Sequence, residues 1–180
     1  LDFGEQREPA ANVGGPGRTA ATAALVEEYP NIRLALGWCL ESGEAQLGLR
    51  LARTVQFFWQ ARGYWSEGLA WLERILVLPG AEAPTPARAV CLLAAGRLAS
   101  LLGSMQAARM FYEAGLPLAR TINEPWIQWL GPQNFGIHAI DRGDLETAAR
   151  CFRDALAITR AANDRIDEAM HRLLMQRGDI

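Results

Sequence analysis

The segment GDLETAARCFRDAL, at residues 143–156, combines a leading turn glycine with apolar residues at helical spacing. The same arrangement occurs as GSMQAARMFYEAGL at residues 103–116 and as GYWSEGLAWLERIL at residues 63–76. Gly63, Gly103 and Gly143 therefore follow one another at intervals of 40 residues. A fixed interval with one helix hairpin in each unit is typical of a helical repeat array, whose units bury their apolar faces by stacking on neighbours. The sequence predicts an all-α solenoid of antiparallel helix hairpins.

Two further positions recur after each of these glycines. A small residue follows five positions later, as Gly68, Ala108 and Ala148. An apolar or aromatic residue follows nine positions later, as Leu72, Tyr112 and Phe152. Because only glycine or alanine lets two helices approach at the tightest crossing, we expect the small residues at helix contacts.

Outward from these segments, the pattern predicts further helices with recognisable starts and stops. Helical patterning begins near Thr19 and resumes at Pro30, which suits the first turn of a helix that stops at Gly43. Thr85 and Pro86 have the residue types of a helix cap and first turn. The paired helices are predicted at about residues 44–62, 64–78, 86–102, 104–120, 123–141 and 144–162.

Two prolines fall inside these predicted helices, Pro117 and Pro132. A proline within a helix removes one hydrogen bond and its ring clashes with a preceding carbonyl. We therefore expect each of the two prolines to bend or break its helix.

The two ends of the chain differ from its middle. Residues 1–18 are rich in Gly, Pro and polar residues without periodicity, and predict a flexible leader or linker. Residues 19–180 predict a single repeat domain. A last helix is expected from Asp164, and it places Gly178 where the hairpin glycines stood. We therefore expect its hairpin partner to lie beyond Ile180, in a larger protein.

Composition excludes several function classes. Half of the 180 residues are hydrophobic, the formal net charge is −2, and the 18 basic residues are all arginine. Charges of both signs are interspersed, which argues against a nucleic-acid or anionic-membrane surface. No apolar run approaches the roughly 20 residues that span a bilayer, and no signal-peptide pattern is present. We expect a cytoplasmic protein whose three cysteines, Cys39, Cys91 and Cys151, are buried thiols.

The sequence carries no convincing catalytic or metal-binding motif. The glycine-rich stretch NVGGPGRTA lacks the lysine that a phosphate-binding loop requires. His138 and His171 lie in different helices without carboxylate partners at metal-ligand spacing, so a surface or core-edge role is preferred for both. Asp141 and Asp144 flank a predicted hairpin, where helix capping accounts for them. We predict a non-enzymatic protein with no cofactor and no metal.

The hairpin positions resemble those of tetratricopeptide repeats. The residues that carry this resemblance in two consecutive units are Ala95, Gly96, Ala99, Gly103, Met105, Ala108 and Tyr112, then Phe135, Gly136, Ala139, Gly143, Leu145, Ala148, Phe152 and Ala155. The resemblance covers about residues 44–180 and implies a right-handed α-α superhelix. The interval of 40 residues exceeds the ~34 of an ordinary unit and reaches the range of HEAT-like repeats, which remain the alternative.

A second resemblance covers residues 25–76, LVEEYPNIRLALGWCLESGEAQLGLRLARTVQFFWQARGYWSEGLAWLERIL. This stretch is similar to the segment that joins the ATPase module to the repeats in bacterial transcriptional regulators of the LuxR and antibiotic-regulatory type, which belong to the signal-transduction ATPases with numerous domains. The same segment also occurs beside cyclase and kinase domains, so the output domain stays open. The resemblance implies an arm that binds a partner or senses an effector.

The tetratricopeptide resemblance also implies a binding surface. In that family, the first helix of each pair lines the concave side, and its non-core positions meet the ligand. Carried over to this sequence, those positions are Arg53, Phe57, Gln60, Arg97, Gln133, Asn134, Ile137 and Arg172. Arginines among apolar and amide groups can hold a carboxylate or an extended peptide, and simple solvation is the alternative. Phe57 stands where the family's carboxylate clamp has its first Asn, which disfavours binding of C-terminal tails.

Six tryptophans are many for a chain of this length. Packing between repeats explains most of them, but Trp59, Trp65 and Trp71 surround one hairpin and could form an aromatic wall. The sequence therefore predicts an interaction scaffold whose partner is a protein or peptide, or a small-molecule effector. The alternatives are a small-molecule pocket and a spacer that self-associates through the open ends of the array.

Overall fold

The computed structural model describes the backbone of residues 16–161 and the side chains of residues 25–161. All regular secondary-structure elements in this range are α-helices, which confirms the predicted all-α class. The seven helices are α1 (Pro16–Ser42), α2 (Ala45–Arg62), α3 (Trp65–Leu76), α4 (Pro86–Leu101), α5 (Met105–Thr121), α6 (Pro125–Asp141) and α7 (Leu145–Ala161). Of the leader predicted at residues 1–18, residues 1–15 lie outside the described residues, and residues 16–18 belong to α1 instead of a flexible segment. The predicted helix from Asp164 also lies outside the described residues.

Four hairpin turns share one backbone geometry. Gly43, Gly63, Gly103 and Gly143 have φ angles of 71°, 77°, 75° and 74°, in the left-handed region that favours glycine. After each glycine, the next residue donates its backbone N–H to the carbonyl oxygen five residues earlier, at 2.9 to 3.0 Å. This bond defines a Schellman motif, which satisfies a carbonyl at the helix end. The turn predicted at three glycines therefore also joins α1 to α2.

Helix α1 corrects the prediction for Pro30. The helix begins at Pro16 and runs without interruption to Ser42, so Pro30 lies in its interior and does not start a helix. Tyr29, Ile32 and Leu36 are buried on both sides of the proline. Their packing in the core opposes the break that a proline favours, because tertiary burial outweighs local helix propensity.

The other two internal prolines do not break their helices either. Helix α5 runs through Pro117 and helix α6 runs through Pro132. Pro117 itself is exposed, whereas Gly115 and Ala119 beside it are buried. The helix is thus held by its packed face while the proline faces solvent.

The helices are arranged as two layers. The first hairpin consists of α2 and α3, the second of α4 and α5, and the third of α6 and α7. Helix α4 contacts both α2 and α6, and these three first helices form what we call the first-helix layer. The second helices lie against it: α3 contacts α2 and α4, α5 contacts α4 and α6, and α7 contacts α6. Each hairpin therefore packs on the next, as the interval of 40 residues predicts.

At equivalent contacts in successive hairpins, a smaller residue on one helix is matched by a larger residue on the other. A Cβ on Gly96 would lie 2.8 Å from the Tyr112 ring, and one on Gly136 would lie 2.8 Å from the Phe152 ring. The residues 40 positions before Gly96 and Tyr112 are Gln56 and Leu72. In the first hairpin, the larger Gln56 replaces glycine and the smaller Leu72 replaces tyrosine, which preserves close packing.

A second pair of positions shows the same exchange. A Cβ on Gly68 would lie 2.7 Å from the indole of Trp59, which is fully buried. In the later hairpins, the corresponding pairs consist of two alanines, Ala99 with Ala108 and Ala139 with Ala148. The predicted placement of small residues at helix contacts is confirmed, since Gly68, Ala108 and Ala148 are all buried.

Candidate interaction surface on the first-helix layer

Seven of the eight residues predicted to bind a partner lie in the described part of the chain, and Arg172 lies outside it. Asn134 is buried, with 4% of its surface exposed. The other six are half-buried: Arg53, Phe57, Gln60, Arg97, Gln133 and Ile137. All seven belong to α2, α4 or α6, so the first-helix layer brings them together on adjacent helices.

Arg53 is held by contacts that local sequence patterns do not predict. Its Nη2 lies 3.1 Å from Glu124 Oε2, and its guanidinium carbon lies 5.0 Å from the centre of the Trp126 ring. Trp126 Nε1 donates to the same carboxylate oxygen at 3.0 Å. Glu124 directly precedes α6, so this contact joins the first hairpin to the third. The separation of 71 residues explains why local sequence patterns did not reveal it.

Arg97 makes a looser ion pair. Its Nη1 lies 3.6 Å from Asp141 Oδ2, beyond ordinary hydrogen-bond distance. This nitrogen is buried and finds no acceptor with hydrogen-bond geometry among residues 25–161. Asp141, which the sequence analysis considered only as a capping residue, therefore balances the charge of Arg97 without satisfying its donor.

Two buried side-chain amides in the same layer also have a nitrogen donor without an acceptor. Gln56 accepts a hydrogen bond from Gln60 Nε2 at 2.6 Å, yet its own Nε2 has no acceptor in the described part of the chain. The Nδ2 atom of Asn134 likewise has no acceptor there. A buried donor without a partner costs roughly 1–3 kcal/mol. Gln56, Arg97 and Asn134 thus place one such donor on each of α2, α4 and α6.

Apolar side chains flank these donors. Phe57 packs in the cluster that contains Leu93, Ile127 and Trp126, and so it connects α2 to the later hairpins. Arg97 and Ile137 follow Phe57 at one and two repeat intervals. The layer therefore carries an alternation of apolar, cationic and amide groups, which suits recognition of a peptide more than of a bare ion.

Most of the tryptophans serve internal packing. Trp59 is fully buried and donates its Nε1 hydrogen to Tyr29 Oη at 2.8 Å. Trp65 donates to the Gln60 carbonyl at 3.1 Å, and Trp71 donates to Glu67 at 3.3 Å. The packing interpretation is confirmed for Trp59, which cannot form an external wall.

His138 is more deeply buried than the predicted core-edge position. Only 2% of its surface is exposed, and its Nδ1 lies 2.8 Å from the Ser100 hydroxyl. Burial, followed by the nearby Arg142 charge, lowers the pKa of His138 below its usual value. His171 lies outside the described residues.

The described cysteines and acidic residues do not assemble a metal site. Cys39, Cys91 and Cys151 are all buried, as predicted, and burial is the main cause that raises the pKa of both Cys39 and Cys151. Between residues 25 and 161, no group of three or more His, Cys, Asp or Glu side chains is placed to hold a metal ion. Among the described helices, none has the length and apolar character needed to cross a lipid bilayer.

Comparison with known proteins gives no family. The sequence matches no protein-family model and no curated protein.

Proposed function

We propose that this chain is a non-enzymatic interaction scaffold, built as a right-handed tetratricopeptide-like superhelix, whose first-helix layer binds an extended peptide segment. The repeated glycine turns and the consecutive contacts of α2, α4 and α6 support the superhelix. In such an array, the first helices line the concave side. That side is where Arg53, Gln60, Arg97 and Gln133 meet the ligand.

The observation that carries this proposal is the set of buried donors on Gln56, Arg97 and Asn134, one from each first helix. Folded proteins leave few buried polar groups without hydrogen-bond partners. We therefore propose that a ligand supplies acceptors for these three donors. Adjacent packed helices lie about 8–10 Å apart, which an extended chain covers with about three residues at about 3.4 Å each. The spacing of backbone carbonyls in one extended peptide therefore matches the spacing of successive helices, and side chains of the layer must move aside for a peptide to reach these buried donors.

The resemblance of residues 25–76 supports a place for this scaffold in a larger protein. We assign it to the repeat arm of a bacterial transcriptional regulator of the signal-transduction ATPase class, acting in the cytoplasm. The sequence of the coding region on both sides tests this assignment. An upstream phosphate-loop ATPase with a downstream helix-turn-helix domain supports it, whereas an unrelated catalytic domain contradicts it and leaves only the scaffold.

Peptide display tests the binding surface. We expect the protein to enrich peptides that lose binding when Arg97→Ala and Asn134→Ala are combined. Arg109→Ala is a matched control, because Arg109 is also ion-paired, at 2.7 Å to Glu113, but lies on α5 outside the layer. Selected peptides that lose binding equally with the control variant and the layer variant contradict the proposal.

Self-association is a second candidate function, favoured by the outer side of α1. Leu34 and Trp38 are 74% and 53% exposed on that helix, and they lie four residues apart on one side. Exposed apolar side chains in a row are typical of contact surfaces. Sedimentation of the protein and of its Leu34→Glu variant tests this candidate: a monomer at every concentration of the unsubstituted protein rejects it.

A further inference from the structure

A buried histidine connects the second and third hairpins. His138 on α6 reaches Ser100 on α4, with 2.8 Å between the imidazole Nδ1 and the hydroxyl oxygen. The ring centre of His138 lies 5.4 Å from that of Tyr112 on α5 and 5.9 Å from that of Phe135 on α6. Its side chain is therefore enclosed by three helices at the junction between two repeat units.

The charged groups around His138 make an added proton unfavourable. Arg97 from α4 and Arg142, which directly follows α6, are cationic, and Asp141 from α6 is anionic. Asp141 already lies 3.6 Å from Arg97, so one carboxylate would have to balance several positive charges. The Tyr112 phenol from α5 stays neutral, because burial raises its pKa above the usual value. From α7, the apolar side chains of Ala148 and Phe152 pack against the neighbouring Ala139.

We propose that His138 is a pH-sensitive link between the second and third hairpins, and that its protonation loosens α6 from α4 while the first two hairpins stay packed. A charged imidazole between aromatic rings lacks the hydration it has in water, so it favours conformations in which α6 moves away. The Ser100 hydroxyl orients the neutral ring and so strengthens the closed junction.

The direction of the effect follows from linkage. Burial lowers the pKa of His138 in the folded protein below the value of about 6.5 for an unfolded chain. The stabilising contribution of neutral His138 is thus fully present above about pH 6.5, and it is lost as the pH falls through the folded-state pKa. The junction is closed at neutral pH and opens in mild acid.

The chain offers a clean test, because His138 and His171 are its only histidines. In the His171→Gln variant, the imidazole NMR signal belongs to His138 alone. We expect this signal to titrate below its ordinary range. Over the same pH interval, amide protection factors in α6, corrected for intrinsic exchange rates, should fall by about tenfold or more relative to those in α2.

The His138→Gln variant should lose this pH dependence and keep α6 protected in mild acid. If that variant does not fold, Ser100→Ala serves instead, and it should lower α6 protection at neutral pH and shift the midpoint of opening. An imidazole that titrates at or above its ordinary value overturns the proposal. So does equal loss of protection in α2 and α6, or a Ser100→Ala variant that changes neither the protection nor the midpoint.

Discussion

Gly96 faces the ring of Tyr112 so closely that a Cβ on residue 96 would lie 2.8 Å from Cε1 of the tyrosine. The same relationship holds between Gly136 and Phe152, one repeat interval later. Because real Cβ atoms do not approach ring carbons this closely, Tyr112 of α5 and Phe152 of α7 each require a glycine on the first helix of their hairpin. The repeat is therefore specified by complementary pairs of side chains as well as by turn glycines.

The first prediction concerns this contact. Gly96→Ala should lower the free energy of unfolding by about 1–3 kcal/mol, because the buried Tyr112 ring has little room to move. Chemical denaturation measures the change. Gly37→Ala is the control, since a Cβ there meets nothing within 4 Å, and removal of a helical glycine should stabilise the protein by about 0.4–1 kcal/mol. Adding Tyr112→Leu, which mimics Leu72 of the first unit, should relieve the Gly96→Ala defect. A Gly96→Ala variant as stable as the starting protein would show that the contact is not tight.

The second prediction concerns how the buried amide of Asn134 affects folding stability. Asn134→Leu replaces a buried amide whose Nδ2 has no acceptor among residues 25–161 with an apolar group of similar size. Folding stability should stay the same or rise by up to about 1 kcal/mol, because an unsatisfied donor is removed. Thermal unfolding measures this change. A large loss of stability would mean that the Asn134 amide already has a partner, such as buried water, and would weaken its assignment to ligand binding.

A third prediction concerns the contact between the first and third hairpins. Arg53 and Glu124 should show a favourable coupling free energy of about 0.5–1 kcal/mol in a double-mutant cycle of Arg53→Ala and Glu124→Gln. The pair is partly exposed, with side-chain exposures of 18% and 35%, so its value is modest. Stacking on Trp126 is expected to persist in Glu124→Gln. A coupling free energy indistinguishable from zero would show that the contact does not join the hairpins energetically.

The fourth prediction concerns alkaline pH. Burial, with the neighbouring Glu67, raises the pKa of Tyr29 to about 12. A group with a raised folded-state pKa contributes stability that is present below its unfolded value of about 10 and is lost as the pH rises toward 12. The protein should therefore lose stability between about pH 10 and pH 12. Tyr29→Phe should reduce this slope, although it also removes the hydroxyl that accepts from Trp59. Identical pH slopes for the two proteins would contradict the assignment.

Much of the fold follows from local patterns in the sequence. The turn glycines, the cap formed by Thr85 and the small residues at contacts are dictated by backbone geometry and sterics, which act over a few residues. Thr85 Oγ1 indeed accepts from the Arg88 backbone N–H at 3.3 Å. Gly43 was predicted only as a helix stop and not as one of the repeated turn glycines. The pattern nevertheless holds there, because Gly48 follows Gly43 five residues later.

The remaining features depend on distant contacts. Pro30, Pro117 and Pro132 lie within unbroken helices because packed faces oppose the local preference of proline, and no local pattern reports that packing. The residues predicted to bind a partner lie on adjacent helices, but Glu124 and Asp141 were not predicted as partners of Arg53 and Arg97. Ion pairs across repeats depend on how the units stack, and that information is absent from any single unit.

The most direct test of the account is the affinity of one display-selected peptide for the unsubstituted protein and for two variants, measured by calorimetry. The account predicts that combined Arg97→Ala and Asn134→Ala weakens binding by about tenfold or more, since buried hydrogen bonds to a ligand are worth at least about 1.4 kcal/mol together. Arg109→Ala should leave the dissociation constant unchanged. An unchanged dissociation constant in the combined Arg97→Ala and Asn134→Ala variant, with its fold intact, would contradict the claim that the first-helix layer is the binding surface.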